Sequence, residues 1–196
     1  MRLFVALSPP PEALAEIAAA LGSHREAWPE LRWTAPETWH VTMAFLGEVP
    51  ERVLPDLTGR LGRAVGRYQA VTLVFGAGGA FPSAARAQVV WLGLAGGEPV
   101  LPRLAASLAA GARRAGVEMA ERRRFRPHLT VARARPRAGI DVRPLVESLR
   151  GFAGSPWHAG HVHLVRSHLG ATVRYEILET WPLGGAGVRG SSAGRS

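Results

Sequence analysis

The stretch Phe125–Arg135 reads FRPHLTVARAR, and Thr38–Gly47 reads TWHVTMAFLG. Each sets a histidine at the head of an alternating apolar run, His128 in HLTV and His40 in HVTM. Alternation with a period of two predicts a strand buried on one face. Side chains at i and i+2 share a face, so His40 is expected beside Thr42 and His128 beside Thr130. Val41 and Met43, and likewise Leu129 and Val131, then point into a core. The two histidines are 88 residues apart (128 − 40), nearly half of the 196-residue chain.

The flanking sequence repeats in the same rhythm. RLFVAL (2–7) predicts a strand stopped by Ser8 and Pro9–Pro11, and Leu14, Ile17, Ala18 and Leu21 predict a helix entered through proline. After the TWHVTMAFLG strand, Leu54, Leu57, Leu61 and Val65 mark a second helix, weakened by Gly59, Gly62 and Gly66. AVTLVFGAGGAF (70–81) predicts the third strand. The order then restarts with AQVVWLGL (87–94), a helix carrying Val100, Leu101, Leu104, Leu108 and Ala112 on one face, and PHLTVARA (127–134). A short helix over 142–149 and the strands HAGHVHLVRS (158–167) and TVRYEILETW (172–181) complete the order. Each half therefore reads β-α-β-α-β, with one strand appended to the second. Internal duplication is the economical explanation. Leu3 moved by the same offset of 88 lands on Trp91, in the matching strand. Residues 1–183 are expected to form a single domain of two pseudo-twofold lobes, and 184–196 a disordered tail.

Composition narrows the class of partner. The formal net charge is +9, and all 24 basic residues are arginine. A positive surface attracts polyanions, although so uniform an arginine bias also fits genomic base composition. No apolar run approaches the roughly 18 residues of a membrane span, and the early prolines argue against a signal peptide. There are no cysteines, hence no disulfides, thiol nucleophiles or zinc knuckles. A cytoplasmic, membrane-free protein is expected.

If the halves pack about a pseudo-twofold axis, the two His/Thr faces look at each other across a cleft. An imidazole with a pKa near 6.5 exists in either state at neutral pH, so one ring can accept a proton while the other donates one. Threonine hydroxyls beside them can hydrogen-bond non-bridging oxygens as charge builds. Phosphodiester cleavage, of a cyclic phosphate above all, fits that equipment without a metal or cofactor. His158, His161, His163 and His168 raise a metal alternative, but strand histidines at i and i+2 commonly just cover a polar face. ERRRFRPH (121–128) suits an RNA backbone or a solvated connection, and His24 suits a surface loop.

With both motifs and their flanks in view, the chain resembles the two-histidine phosphoesterases, and among them the RNA 2′,3′-cyclic phosphodiesterases, also called RNA 2′-5′ ligases. The likeness runs through RLFVAL, RWTAPETWHVTMAFLGEV, FPSAARAQVVWLGL, FRPHLTVARAR and VHLVRSHLG…RYEILETWPL, nearly all of 1–183. It implies an α+β, bilobal fold with antiparallel sheets flanking a central cleft. It implies hydrolysis of an RNA terminal 2′,3′-cyclic phosphate to a 2′-phosphate, with 2′-5′ ligation as a side activity. By position His40 would be the proton donor and His128 the proton acceptor, with Thr42, Thr130 and Arg133 binding phosphate. Strict alternation sets Arg133 opposite His128, so its role requires a bulge, twist or strand end. Phe45, at the same place after His40, would stack on a base, although the side it shares with Val41 and Met43 favours the core. Ser167 and Tyr175 read as structural. The partner implied is RNA with a cyclic phosphate terminus, tRNA fragments being one candidate, and an internal pseudo-dimer leads to a monomer. The alternatives are a small cyclic nucleotide or ADP-ribose cyclic phosphate as substrate, or an RNA-binding module without catalysis.

Overall fold

The structure is a computed structural model describing residues 1–119, 125–135, 138–170 and 173–184. The expected tail beyond Gly184 and the arginine run 121–124 lie outside the described residues. The strands are β1 (Arg2–Leu7), β2 (Leu31–Trp33), β3 (Val41–Glu48), β4 (Val71–Phe81), β5 (Val89–Ala95), β6 (His128–Ala134), β7 (Trp157–Ala159), β8 (His161–His168) and β9 (Arg174–Pro182). The helices are α1 (Pro11–Ala27), α2 (Leu54–Val65), α3 (Val100–Arg114) and α4 (Arg143–Ser148).

These strands all pair antiparallel, and they run in the order β7-β4-β5-β6-β3-β1-β8-β9, with β2 added to β6. The α+β class and the antiparallel architecture are those expected. The two histidine strands are central neighbours, yet β3 and β6 share a single paired position, Val41 with Leu129. They splay apart beyond it, which divides the sheet into one wing of β7-β4-β5-β6 and another of β3-β1-β8-β9.

These wings are not the two halves of the sequence. β4, from the first half, pairs with β5, while β8 and β9, from the second, extend β1. The third strand of each half has crossed to the other wing. The expected strand HAGHVHLVRS also divides at Gly160, because β7 pairs with β4 and β8 with β1, in different wings. β2 was not foreseen, being too short to show periodicity. The offset of 88 needs a correction as well. Ala6 faces Thr42 and Trp91 faces Thr130, so at the threonines the first strands are related by 85 residues (91 − 6).

Apolar burial holds the frame. α2 buries Leu57, Leu61 and Val65, and α3, packed on α2 and β3, buries Leu101, Leu104 and Leu108. Each such leucine contributes about 1.5–3 kcal/mol by leaving water. Pro11 opens α1 at the first helical position, where its missing N–H costs nothing, and Ala13, Ile17 and Leu21 form the buried stripe. His24 is in the last turns of α1 rather than in a loop. Gly62 is required in α2 by close approach: a Cβ there would lie 2.9 Å from Nε1 of Trp181 on β9.

Candidate active site

His40 and His128 are held alike. Nδ1 of His40 lies 2.8 Å from the Thr38 carbonyl, and Nδ1 of His128 lies 2.7 Å from the Arg126 carbonyl, each two residues back. A carbonyl oxygen only accepts, so Nδ1 carries the proton in both rings. Nε2 is left as the working nitrogen, a proton acceptor when the ring is neutral and a donor when it is charged. Each ring also rests on aromatic neighbours. His40 is 4.7 Å from Phe4 and 5.2 Å, edge-on, from Tyr175, and His128 is 5.1 Å from Phe81 and 6.1 Å from Trp91. Trp91 lies over its cross-strand partner Gly79, where a methyl group would collide with the indole.

The alternation expected after each histidine holds for three residues and then breaks. Val41, Met43, Leu129 and Val131 are buried as expected. Met43, however, has no residue opposite it on β1, since Val5 faces Ala44 and Ala6 faces Thr42. Val131 is skipped in the same way on β5, since Val90 faces Ala132 and Trp91 faces Thr130. Each is a β-bulge, which inserts one residue and reverses the parity of the strand beyond it. Ala44 and Ala132 therefore turn inward, and Phe45 and Arg133 emerge on the histidine side. The bulge that an Arg133 role requires is present. Phe45 is 46% exposed rather than in the core, with the Arg2 guanidinium 5.1 Å above its ring.

Thr42, Phe45, Phe81, His128, Thr130 and Arg133 line one open cavity of about 1110 Å³. His40 is outside that lining, against Phe4 and Tyr175, and near enough to His128 and Arg133 to feel their charges. Burial lowers the pKa of both histidines below the usual 6.5, and the carbonyl bonds oppose that shift. The Arg133 charge lowers both further, and that of His128 lowers His40. Both rings are thus biased towards neutrality, and a phosphate between them would reverse the bias.

Sequence reasoning missed Thr34. A bulge strips backbone groups of their ladder partners, and Thr34 occupies those left by the bulge in β6. Its amide donates to the Val131 carbonyl at 2.9 Å, and its hydroxyl lies 2.9 Å from that oxygen and 3.1 Å from the Thr130 carbonyl. The same hydroxyl accepts from Trp39 Nε1 at 2.8 Å, so one side chain connects the residue before His40 to the bulge that delivers Arg133. Replacing Thr34 by valine strands a part-buried indole N–H at a cost of about 1–3 kcal/mol. The melting temperature is expected to fall by about 3–10 °C, with kcat/KM falling too, and serine should restore most of both. Thermal melts beside steady-state kinetics check this. Tyr175 was read as structural; its edge lies against His40.

Comparison with known proteins gives the family. Residues 9–171 match the 2′-5′ RNA ligase superfamily, and the chain belongs to that superfamily. It is 35% identical to the Escherichia coli RNA 2′,3′-cyclic phosphodiesterase over 93% of this chain and 96% of that protein. It is 26% identical to the enzyme of that name from Geobacillus stearothermophilus, spanning 93% of this chain but only 57% of the relative's length. The crystal structure of E. coli LigT complexed with 3′-AMP superposes with a TM-score of 0.74 at 28% identity, over 93% of this chain and 97% of LigT.

Proposed function

We propose that this protein hydrolyses the terminal 2′,3′-cyclic phosphate of RNA to a 2′-phosphate by acid–base catalysis between His128 and His40. The observation that carries the reading is the duplication of one device: an imidazole with Nδ1 tied to the i−2 carbonyl, a threonine two residues on, and a bulge turning the fifth residue to the same side. Nε2 of His128 takes a proton from water as its oxygen attacks phosphorus. The P–O3′ bond breaks, and Nε2 of His40 gives its proton to O3′, leaving a 3′-hydroxyl and a 2′-phosphate. Thr42, Thr130 and Arg133 bear on the non-bridging oxygens, where negative charge grows. Geometry treats the two rings alike, and their division into acid and base rests on the family resemblance.

RNA is preferred to a small cyclic nucleotide because the cavity of about 1110 Å³ is open to solvent, which leaves room for an attached chain. It also opens onto an aromatic and arginine-bearing margin, Phe45 with Arg2. That E. coli LigT was crystallised in complex with 3′-AMP supports a ribonucleotide as the kind of ligand bound. Cytoplasmic tRNA fragments are suitable substrates, a single chain completes the site, and 2′-5′ ligation uses the same groups with an RNA 5′-hydroxyl replacing water. No helix among the described residues is long and apolar enough to cross a membrane.

Product analysis tests the proposal. An oligonucleotide ending in a cyclic phosphate is expected to yield only the 2′-phosphate, separable by chromatography and by phosphorus NMR. A 3′-phosphate product would mean that the other bond breaks and the assignment of the leaving oxygen is wrong.

A further inference from the structure

The strand register extends the site beyond the cleft. Thr42 on β3 faces Ala6 on β1, Ala6 faces His163 on β8, and His163 faces Thr180 on β9. These residues form one cross-strand row, on the side of the sheet that carries Thr42. Adjacent strands are about 4.8 Å apart, which puts His163 about 10 Å from Thr42 along the sheet. Nδ1 of His163 is 2.9 Å from Oγ1 of Thr180, so imidazole and hydroxyl are held side by side at the surface. His161, two residues earlier, shares their face.

A parallel row joins Phe45, Phe4, Val165 and Ile177. Phe45 and Ile177 are 46% and 56% exposed, and the neighbouring Tyr175 lies edge-on to Phe4 at 5.2 Å. Polar hydrogen-bonding groups in one row and apolar or aromatic surface in the next match the alternation of phosphate and base along a single strand. The acidic residues of β9 do not interfere. Glu176 and Glu179 face Arg166 and Leu164, on the opposite side, and Glu176 is engaged by His168 at 2.7 Å.

We propose that His163 and Thr180 form a second phosphate subsite, receiving the RNA backbone upstream of the cyclic end as it leaves the cleft across β1, β8 and β9. This rests on the cyclic phosphodiesterase reading above and adds the direction in which the chain runs. It gives a role to a hydrogen-bonded His–Thr pair that lies away from the acid–base pair. A cyclic mononucleotide would be too short to reach it.

The test compares the wild type with H163A and with the double variant H163A/T180V, on a short cyclic-phosphate-ended oligonucleotide and on a 2′,3′-cyclic mononucleotide. KM for the oligonucleotide is expected to rise about tenfold, the loss of a charge-assisted hydrogen bond, while kcat/KM for the mononucleotide stays unchanged. Equal effects on both substrates, or none on either, would overturn the subsite. Fluorescence anisotropy with a labelled 3′-phosphate oligonucleotide separates this proposal from the reading beneath it. If the wild type turns over neither substrate, the phosphodiesterase reading fails, yet an affinity lost in H163A still supports the subsite and an unchanged affinity removes it.

Discussion

Alanine at His40 or at His128 is expected to lower kcat/KM on a cyclic-phosphate-ended RNA by about 10²–10⁴-fold, the usual contribution of a positioned acid or base. Both rings are fixed through Nδ1 and offer only Nε2, so each substitution removes one proton-transfer group. The double variant should be little worse than the single ones, because groups acting in one proton relay are not additive. pH profiles separate the roles. A base must be neutral, so activity rises through its pKa; an acid must be protonated, so activity falls through its pKa. The bell belongs to the coupled pair rather than to either ring. Against the wild-type bell, H128A should lose the ascending limb and H40A the descending one. The reverse pattern would exchange the two assignments, full activity in either variant would remove that ring from the mechanism, and RNA binding with no turnover by the wild type would leave an RNA-binding module as the better reading.

Loss of Arg133 should cost about 10²–10³-fold in kcat/KM, comparable to removing one donor from an oxyanion site. R133K keeps the charge but not the planar fork, and should recover only part of the loss. A second effect arises from electrostatics. The Arg133 charge lowers the pKa of both histidines, so removing it lets both rise. The whole profile of R133A is expected to move to higher pH, on the ascending and the descending limb together. An arginine that only held the strand in place would lower activity without that displacement.

Much of the site was legible because its signals are local. The two His-x-Thr stretches announce themselves by spacing, and their buried partners Val41, Met43, Leu129 and Val131 are given by period-two alternation. The bulges were less legible, since a bulge is a relation between two strands and one strand's sequence records it faintly. There was a trace: HVTMAF and HLTVAR each place two adjacent apolar residues where alternation requires one. That trace would have moved Phe45 out of the core and resolved the position of Arg133. Thr34 left no such trace, because the carbonyls its hydroxyl binds are 96 and 97 residues away. The exchange of third strands was invisible for a related reason. Strand order is settled by which edges meet, and the residues of β4 and β8 do not name the strand that each pairs with.

That exchange sets how the cleft is held together. The chain passes from one wing to the other between β1 and β2, β2 and β3, β3 and β4, and β7 and β8, and among the described residues the wings share backbone pairing only at Val41 and Leu129. One hydrophobic core runs beneath both, taking in Leu3, Val5 and Leu164 from one wing and Leu73, Phe75 and Leu92 from the other, so apolar packing rather than strand pairing joins them. The molecule is laced like a boot around a single eyelet: four passes of the chain and one shared core hold the two wings around the cleft.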